Sequence, residues 1–468
     1  MTMKKVIVFL LVMALAIGGI GAAHAAVTAS QDDLVVYPTL EWGDMTTLSG
    51  HTAGITFTCG EHLIWKTDYP FGGEAKTEFT YDRAGIPEIP LQSRNELSLW
   101  LTAGTHASTT GSFSIRSGGY GEMFREAAAN TEANGEFTME VALSDYLDCY
   151  LPEFNLYYED ETSLCSCQVD LMDLLGGRNW YEDVTIYDDF NTAFRFPVQE
   201  TDRAAIYVHK TGNAVDGFSF ESISGPELQL HSDLSAEGIW MVVSYQNERG
   251  EPLAYESPAG HGIYFVPWKV VGQVNYTTIT KDNLAPDFAH AELVFPLAEG
   301  LPIQELSIDS SRGLAQVLSA EGDSFVLTVY DLNAREVAAR LEVLPRDTEN
   351  LGYVQFAEKD GYLLVTGQGN LALVDADDYT LLLTAPDVRD QSFSAGQFTA
   401  ATGDLHFDGQ TLILIDTAFY REGTFWAAAW KQGESICYGE YDCSIMRGND
   451  HWYYDYISAD RFALELTD

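Results

Sequence analysis

Between about Leu301 and Asp442 the apolar positions fall into a pattern that recurs three times. Each copy has a polar lead-in, a Gly, an apolar run, a gap, a second apolar run ending in a turn, and a third run. The Gly positions are Gly313, Gly361 and Gly409, 48 residues apart at each step. The runs cover 314–318, 325–330 and 337–344 in the first copy, 362–365, 371–374 and 379–383 in the second, and 411–415, 425–430 and 436–438 in the third. A fixed period of roughly 40–50 residues with three or four short strands per unit is the sequence signature of a β-propeller blade.

Runs such as Leu363-Leu364-Val365 and Leu381-Leu382-Leu383 are continuous rather than alternating. A strand reads that way when both of its faces are buried, and a blade covered by a neighbour on each side meets that condition. Asp331, Asp375 and Lys431 follow the second run of each copy, where a polar turn residue is needed. The expected fold is therefore all-β, a β-propeller with a blade period of about 48 residues in the C-terminal half. The alternating run 462–466 is expected to complete a blade with an N-terminal strand such as 34–37.

From Gln31 to about Lys210 strand signals persist but the period is lost. Residues 34–37, 55–58, 62–65, 97–101 and 112–115 read as strands, because most are rich in β-branched or aromatic residues near turn formers. Residues 121–130 and 169–175 have helical apolar spacing. Residues 239–245 and 253–256 read as a hairpin, and 262–267 as a strand stopped by Pro267. The chain thus divides into 1–25, an irregular β-rich region over 26–213 (degenerate blades or a separate β domain), and the propeller repeats over 214–468.

The first residues change the picture of where the protein works. Lys4 and Lys5 precede an apolar run over 6–23, and Ala23-His24-Ala25 is a small-x-small cleavage pattern before Ala26. That is the layout of an export signal, with an uncleaved anchor as the alternative. The whole chain has a net charge of −45, yet at 46% hydrophobic residues it has ample material for a core, so its charge does not mean disorder. A field of that sign disfavours nucleic acid and anionic lipid and favours cations, including loosely bound Ca²⁺, and cationic partners.

Six Cys, an even number, follow the signal, and an exported chain permits disulfides. Cys437 and Cys443 are the candidate pair, since Gly439 and Asp442 between them read as a turn. Cys165-Ser166-Cys167 lacks further ligands at metal-site spacing.

No zinc-protease His-Glu-x-x-His, no Gly-x-Ser-x-Gly elbow and no phosphate-binding Gly-x-x-x-x-Gly-Lys occurs. Gly367-Gln368-Gly369 begins like a dinucleotide loop but is better read as a turn between strands. Asp375-Ala376-Asp377-Asp378 and Asp188-Asp189 are the stretches most suited to a loose Ca²⁺ site, although acidic turns are common for local reasons. The histidines are scattered, and the run Trp452 to Tyr456 either stacks on a ligand or fills space between blades.

No catalytic or metal-binding residue is thereby singled out, and a ligand-binding set is not readable. The expectation is an exported, non-catalytic binding or scaffolding protein of the bacterial cell envelope, partnered by an envelope protein or a glycan and not inserted in the membrane once its signal is removed. The alternatives are an accessory or sensor subunit docking on a membrane protein, and a glycan-acting propeller enzyme.

Overall fold

A computed structural model describes residues 12–22, 34–59, 63–81, 96–100, 118–150, 153–159, 166–170, 192–235, 237–247, 252–270, 284–309, 311–347, 354–387, 398, 403–417, 423–447, 451–452 and 462–467. The chain forms two compact units, one made of Met1–Leu91 with Phe356–Asp468, the other of Gln92–Gln355.

The repeating element is a four-stranded antiparallel meander, which is the topology of a propeller blade. One runs Ile303–Asp309, Leu314–Glu321, Ser324–Asp331 and Glu336–Pro345; another runs Val354–Lys359, Tyr362–Gly367, Asn370–Asp375 and Leu381–Pro386. The third runs Asp404–Phe407, Thr411–Thr417, Thr424–Lys431 and Glu434–Arg447. The fold is thus all-β and of the β-propeller type, with blades on the expected period. The polar lead-in of each repeat is itself the first strand of its blade.

The three anchoring glycines sit in the turn between first and second strands, with φ of +68°, +82° and +90°. A side chain is costly there, which is why the period shows most clearly in Gly. In the first two blades the turns between third and fourth strands are built by carboxylates. Asp331 Oδ1 accepts the N–H groups of Asn333 and Ala334, and Asp375 Oδ1 accepts those of Asp377 and Asp378. Second and third strands are buried along almost their whole length, as continuous apolar runs require. The outermost strand differs: Leu381 is exposed and only Leu383 of its triplet is fully buried. An outer strand reads as a core strand here because three Leu in a row carry no sign of which one faces water.

The Ile303–Pro345 blade belongs to the Gln92–Gln355 unit, whereas strands from near both ends of the chain are built into the other. Phe462–Thr467 pairs with Thr52–Cys59, completing a sheet with Leu63–Pro70 and Lys76–Tyr81. Leu34–Gly43 is not its partner; it adds instead as a fifth strand beside Glu434–Arg447. Tyr69, Phe71, Phe425 and Tyr441 close the joint, with Phe425 stacked on Tyr441 at 4.9 Å between centroids.

In the Gln92–Gln355 unit the irregularity expected of the N-terminal half is present. Glu96–Trp100, Glu153–Glu159 and Ser166–Asp170 form a three-stranded sheet, so Val169 lies in a strand opposite Leu156 rather than in a helix. Gly118–Asn130 is the helix expected over 121–130, and its Met123 and Ala127 enter a core with Val141, Ile206 and Phe288. Glu136–Ala142, Arg203–Thr211 and Ala214–Ser224 form another three-stranded sheet. The divide drawn at 213/214 therefore falls in the turn of a continuous hairpin.

Gly238–Gln246 pairs as a strand with Glu227–Leu234 and Gly262–Val270; 253–256 is no strand beside it, although Leu253 N–H donates to the Tyr245 carbonyl and an isolated bridge joins Gln246 to Pro252. Gly262–Val270 runs through Pro267, where it changes partner to Leu284–Pro286. Residues 12–22 are helical with exposed apolar side chains such as Leu15 and Ile20. Among the described residues no helix is long and apolar enough to cross a membrane.

Candidate functional site

Cys437 and Cys443 do not form the expected bridge. Both are buried thiols on one strand, Glu434–Arg447, which is held between Thr424–Lys431 and Leu34–Gly43. Six residues of strand separate their backbones by about 20 Å, well beyond disulfide reach. Gly439 is there for close approach rather than for a turn, since a Cβ would come within 2.7 Å of the Tyr441 hydroxyl. Burial pushes the Cys437 thiol up to about 11 and raises Cys443 further. Alkylation of the denatured, unreduced protein should therefore modify both residues, and protection of either in the mass spectrum would contradict the strand assignment.

Gly367-Gln368-Gly369 is a tight turn joining two strands, with Gln368 and Gly369 at positive φ. Asp188, Asp189, Cys165 and 453–456 lie outside the described residues. Among the described residues no group of three or more His, Cys, Asp or Glu is placed to hold a metal. Of the scattered histidines, His51 and His406 come together, with ring centroids 5.0 Å apart.

Several carboxylates are committed to the framework. Asp404, on the first strand of its blade, accepts the N–H of Leu466 at 2.6 Å through Oδ2, and Lys359 Nζ lies 3.8 Å from its Oδ1. Asp233 repeats the device in the other unit, with Oδ2 accepting the N–H of Ile308 at 2.7 Å. Asp202 accepts the Tyr150 hydroxyl and the Gln199 N–H. An Asp on a first strand, buried at Asp404 and half-buried at Asp233, thus fastens the first strand of another sheet.

The arrangement most open to chemistry is a cleft in the Gln92–Gln355 unit lined by Tyr245, Tyr255, His261, Gly300 and Ile303 among others. The sequence brings these residues from four segments, so no local spacing advertises them. His261 packs edge-on against Tyr255 at 4.3 Å between centroids, and its Nε2 lies 3.8 Å from Glu299 Oε1. Its Nδ1 is buried without a hydrogen-bond partner. Burial pushes the Tyr255 and Tyr245 hydroxyls well above the ordinary tyrosine value, so both are neutral. The Tyr245 hydroxyl donates to the Pro197 carbonyl, and Ser257 is tied to the Tyr264 hydroxyl. The free space is about 20 Å³, room for one water-sized group and not for a sugar ring. At 3.8 Å imidazole and carboxylate are in ion-pair range but not hydrogen-bonded, and no described nucleophile is paired to them.

Beside this cleft His231 hydrogen-bonds through the backbone of Ile303, and burial lowers its imidazole to about 4 despite that bond. It is neutral in the fold but charges in the unfolded chain below about pH 6.5. Its contribution is thus complete above that pH and falls as the pH drops towards 4, by about 2 kcal/mol at pH 5. Asp233, whose carboxyl is raised by burial, works in the opposite sense at lower pH. The melting temperature should drop between pH 7 and 5, and His231→Gln should drop less over the same interval. Equal drops would remove His231 as the cause.

No protein-family model matches the chain, and no curated protein sequence does. Among solved structures it is similar to a Bacteroides fragilis protein provisionally assigned as a 6-phosphogluconolactonase (9% identity, 91% of this chain and 100% of that one, TM-score 0.28). It is also similar to the WD40 domain of SCAP from fission yeast (9%, 68% of each chain, TM-score 0.24). A third is BamB from Moraxella catarrhalis (10%, 57% of this chain and 79% of that one, TM-score 0.22). Likenesses this weak carry no argument, and the fold rests on the sheets described above.

Proposed function

We propose that this protein is exported and acts as a non-catalytic binding or scaffolding protein of a bacterial cell envelope. The observation that carries the reading is the use made of its buried and half-buried carboxylates. Asp202, Asp233 and Asp404 each hold framework N–H or O–H groups, so these carboxylates are spent on packing sheets together. What faces a partner is an acidic surface on rigid blades, suited to recognising an envelope protein or a glycan and unsuited to nucleic acid. Export is supported by Lys4, Lys5 and the Ala23-His24-Ala25 pattern, with the apolar helix at 12–22 exposed.

The full chain, expressed in a bacterial host, should be recovered outside the cytoplasm with Ala26 as its first residue. Cytoplasmic protein that keeps Met1 would overturn export. Incubated with peptidoglycan fragments and common glycans, the protein should bind without turnover. Turnover of any of these glycans would overturn the non-catalytic reading in favour of a glycan-acting enzyme. The accessory-subunit reading is favoured by one observation, the apolar side chains exposed on Leu34–Gly43.

A further inference from the structure

The sheet that carries Leu34–Gly43 has five strands in its main path, with the short His451–Trp452 pairing the far end of Glu434–Arg447 as a sixth, and the Val354–Pro386 sheet packed against it has four. Their shared core brings Leu383 and Ala385 of the outermost strand, Leu381–Pro386, to Trp430 and Tyr438. Among the described residues, Leu34–Gly43 therefore stands one strand beyond Leu381–Pro386, the outermost strand of the facing sheet. Its register fixes which side chains point that way. Trp42 is opposite Tyr438, Leu40 opposite Glu440 and Val35 opposite Ser444, all on the face of that shared core, while Val36 is opposite Cys443 and packs into the other core. A bulge between Pro38 and Leu40 keeps Val35, Leu40 and Trp42 on one face.

All three are exposed, Trp42 by 52%, Leu40 by 47% and Val35 by 40%. Alongside this ledge, Leu381–Pro386 has no strand partner on its outer side among the described residues, and Leu381 is 40% exposed. An apolar floor and a sheet edge thus lie together. A strand edge with unpaired backbone groups is a template for another strand. Exposed acids border both elements: Asp44 just past the end of the ledge, Asp377 and Asp378 before the edge strand. With the net charge of −45, they select for positive charge.

We propose that this ledge docks an extended segment of a partner protein in which apolar residues alternate with Lys or Arg. The segment pairs with Leu381–Pro386 as the missing fifth strand of that sheet and lays its apolar side chains on Val35, Leu40 and Trp42. Its basic side chains point to solvent and to the flanking acids. The proposal rests on the binding reading above and gives it a partner chemistry and a place.

The test is titration of the full chain with a labelled ten-residue peptide alternating Lys and Val, at physiological salt, read by fluorescence anisotropy. Saturable binding of one peptide per chain is expected. Leu40→Ser/Trp42→Ser and the single variant Leu40→Lys should each bind about tenfold or more weakly, with melting temperatures unchanged because the side chains are exposed. A peptide with a central Pro, and one alternating Glu and Val, should lose binding to a similar degree. Absence of binding by the Lys-Val peptide overturns the proposal. So does equal binding by the variants, which would place the peptide on acidic surface elsewhere and leave the binding reading intact. Equal binding of the Pro peptide would exclude strand pairing. A dimer that dissociates on Leu40→Ser/Trp42→Ser in sedimentation would give the ledge to a second copy and also overturn it.

Discussion

A chain ending at Asp460 should lose the cooperative unfolding of the unit that carries both termini. Phe462–Thr467 is an integral strand: Phe462 is opposite Phe57, Leu464 opposite Ile55 and Leu466 opposite Ala53. Its removal leaves the edge of Thr52–Cys59 unpaired, takes Leu464 out of the core, and strips Asp404 of the Leu466 N–H. At about 1 kcal/mol net for each lost backbone hydrogen bond and about 1.5–3 kcal/mol for a buried Leu, the loss exceeds about 5 kcal/mol. That is comparable to the whole stability of many domains, about 5–15 kcal/mol. Calorimetry on the shortened and full chains decides it. A transition within about 2 °C of the full chain, a shift worth no more than about 1 kcal/mol, would mean the strand is dispensable.

Trp430→Ala should cost about 3–5 kcal/mol, the range for deleting a large buried aromatic side chain. Trp430 lies inside Thr424–Lys431, fully buried, and its indole N–H donates to the Pro386 carbonyl at 2.9 Å. It thereby joins two sheets by packing and by a hydrogen bond at once. Trp430→Phe separates these contributions, because it keeps much of the apolar volume and leaves the Pro386 carbonyl unanswered, at about 1–3 kcal/mol. Urea unfolding of both variants reads the difference. A cost for Trp430→Ala below about 1 kcal/mol would show that the cleft left behind collapses or that the packing is loose.

Middle strands were legible because burial on both faces writes itself as unbroken apolar runs, and their turns because positive φ demands Gly. First strands were not. Ile303–Asp309 is only half-buried, and Asp404–Phe407 has four residues, one of them the Asp that fastens another strand. Long-range pairing leaves no local trace: nothing near Leu34 announces a partner at Ile445. Cys437 and Cys443 misled because Gly439 and Asp442 look like turn residues. In the strand, Gly439 makes room for the Tyr441 ring and Met45, and Asp442 accepts the Thr424 hydroxyl. The His261 cleft was hidden for the same reason as the end strands, being assembled from residues far apart in the chain. The ledge depends on one bulge, which shifts the parity of Leu40 and Trp42.

The two-piece unit also sets an order of events. Gln92–Gln355 is one uninterrupted stretch, whereas its companion needs residues from both ends of the chain. When a chain emerges from its N-terminus, domains fold as their residues become available. The Gln92–Gln355 stretch can be finished while Thr52–Cys59 still waits for Phe462–Thr467, which emerges after it. Until then that strand keeps an open edge, so a chain stalled or cleaved before Phe462 presents a sticky, protease-accessible blade. Pairing of Phe462–Thr467 is in this sense a built-in check that the chain has been made at least that far.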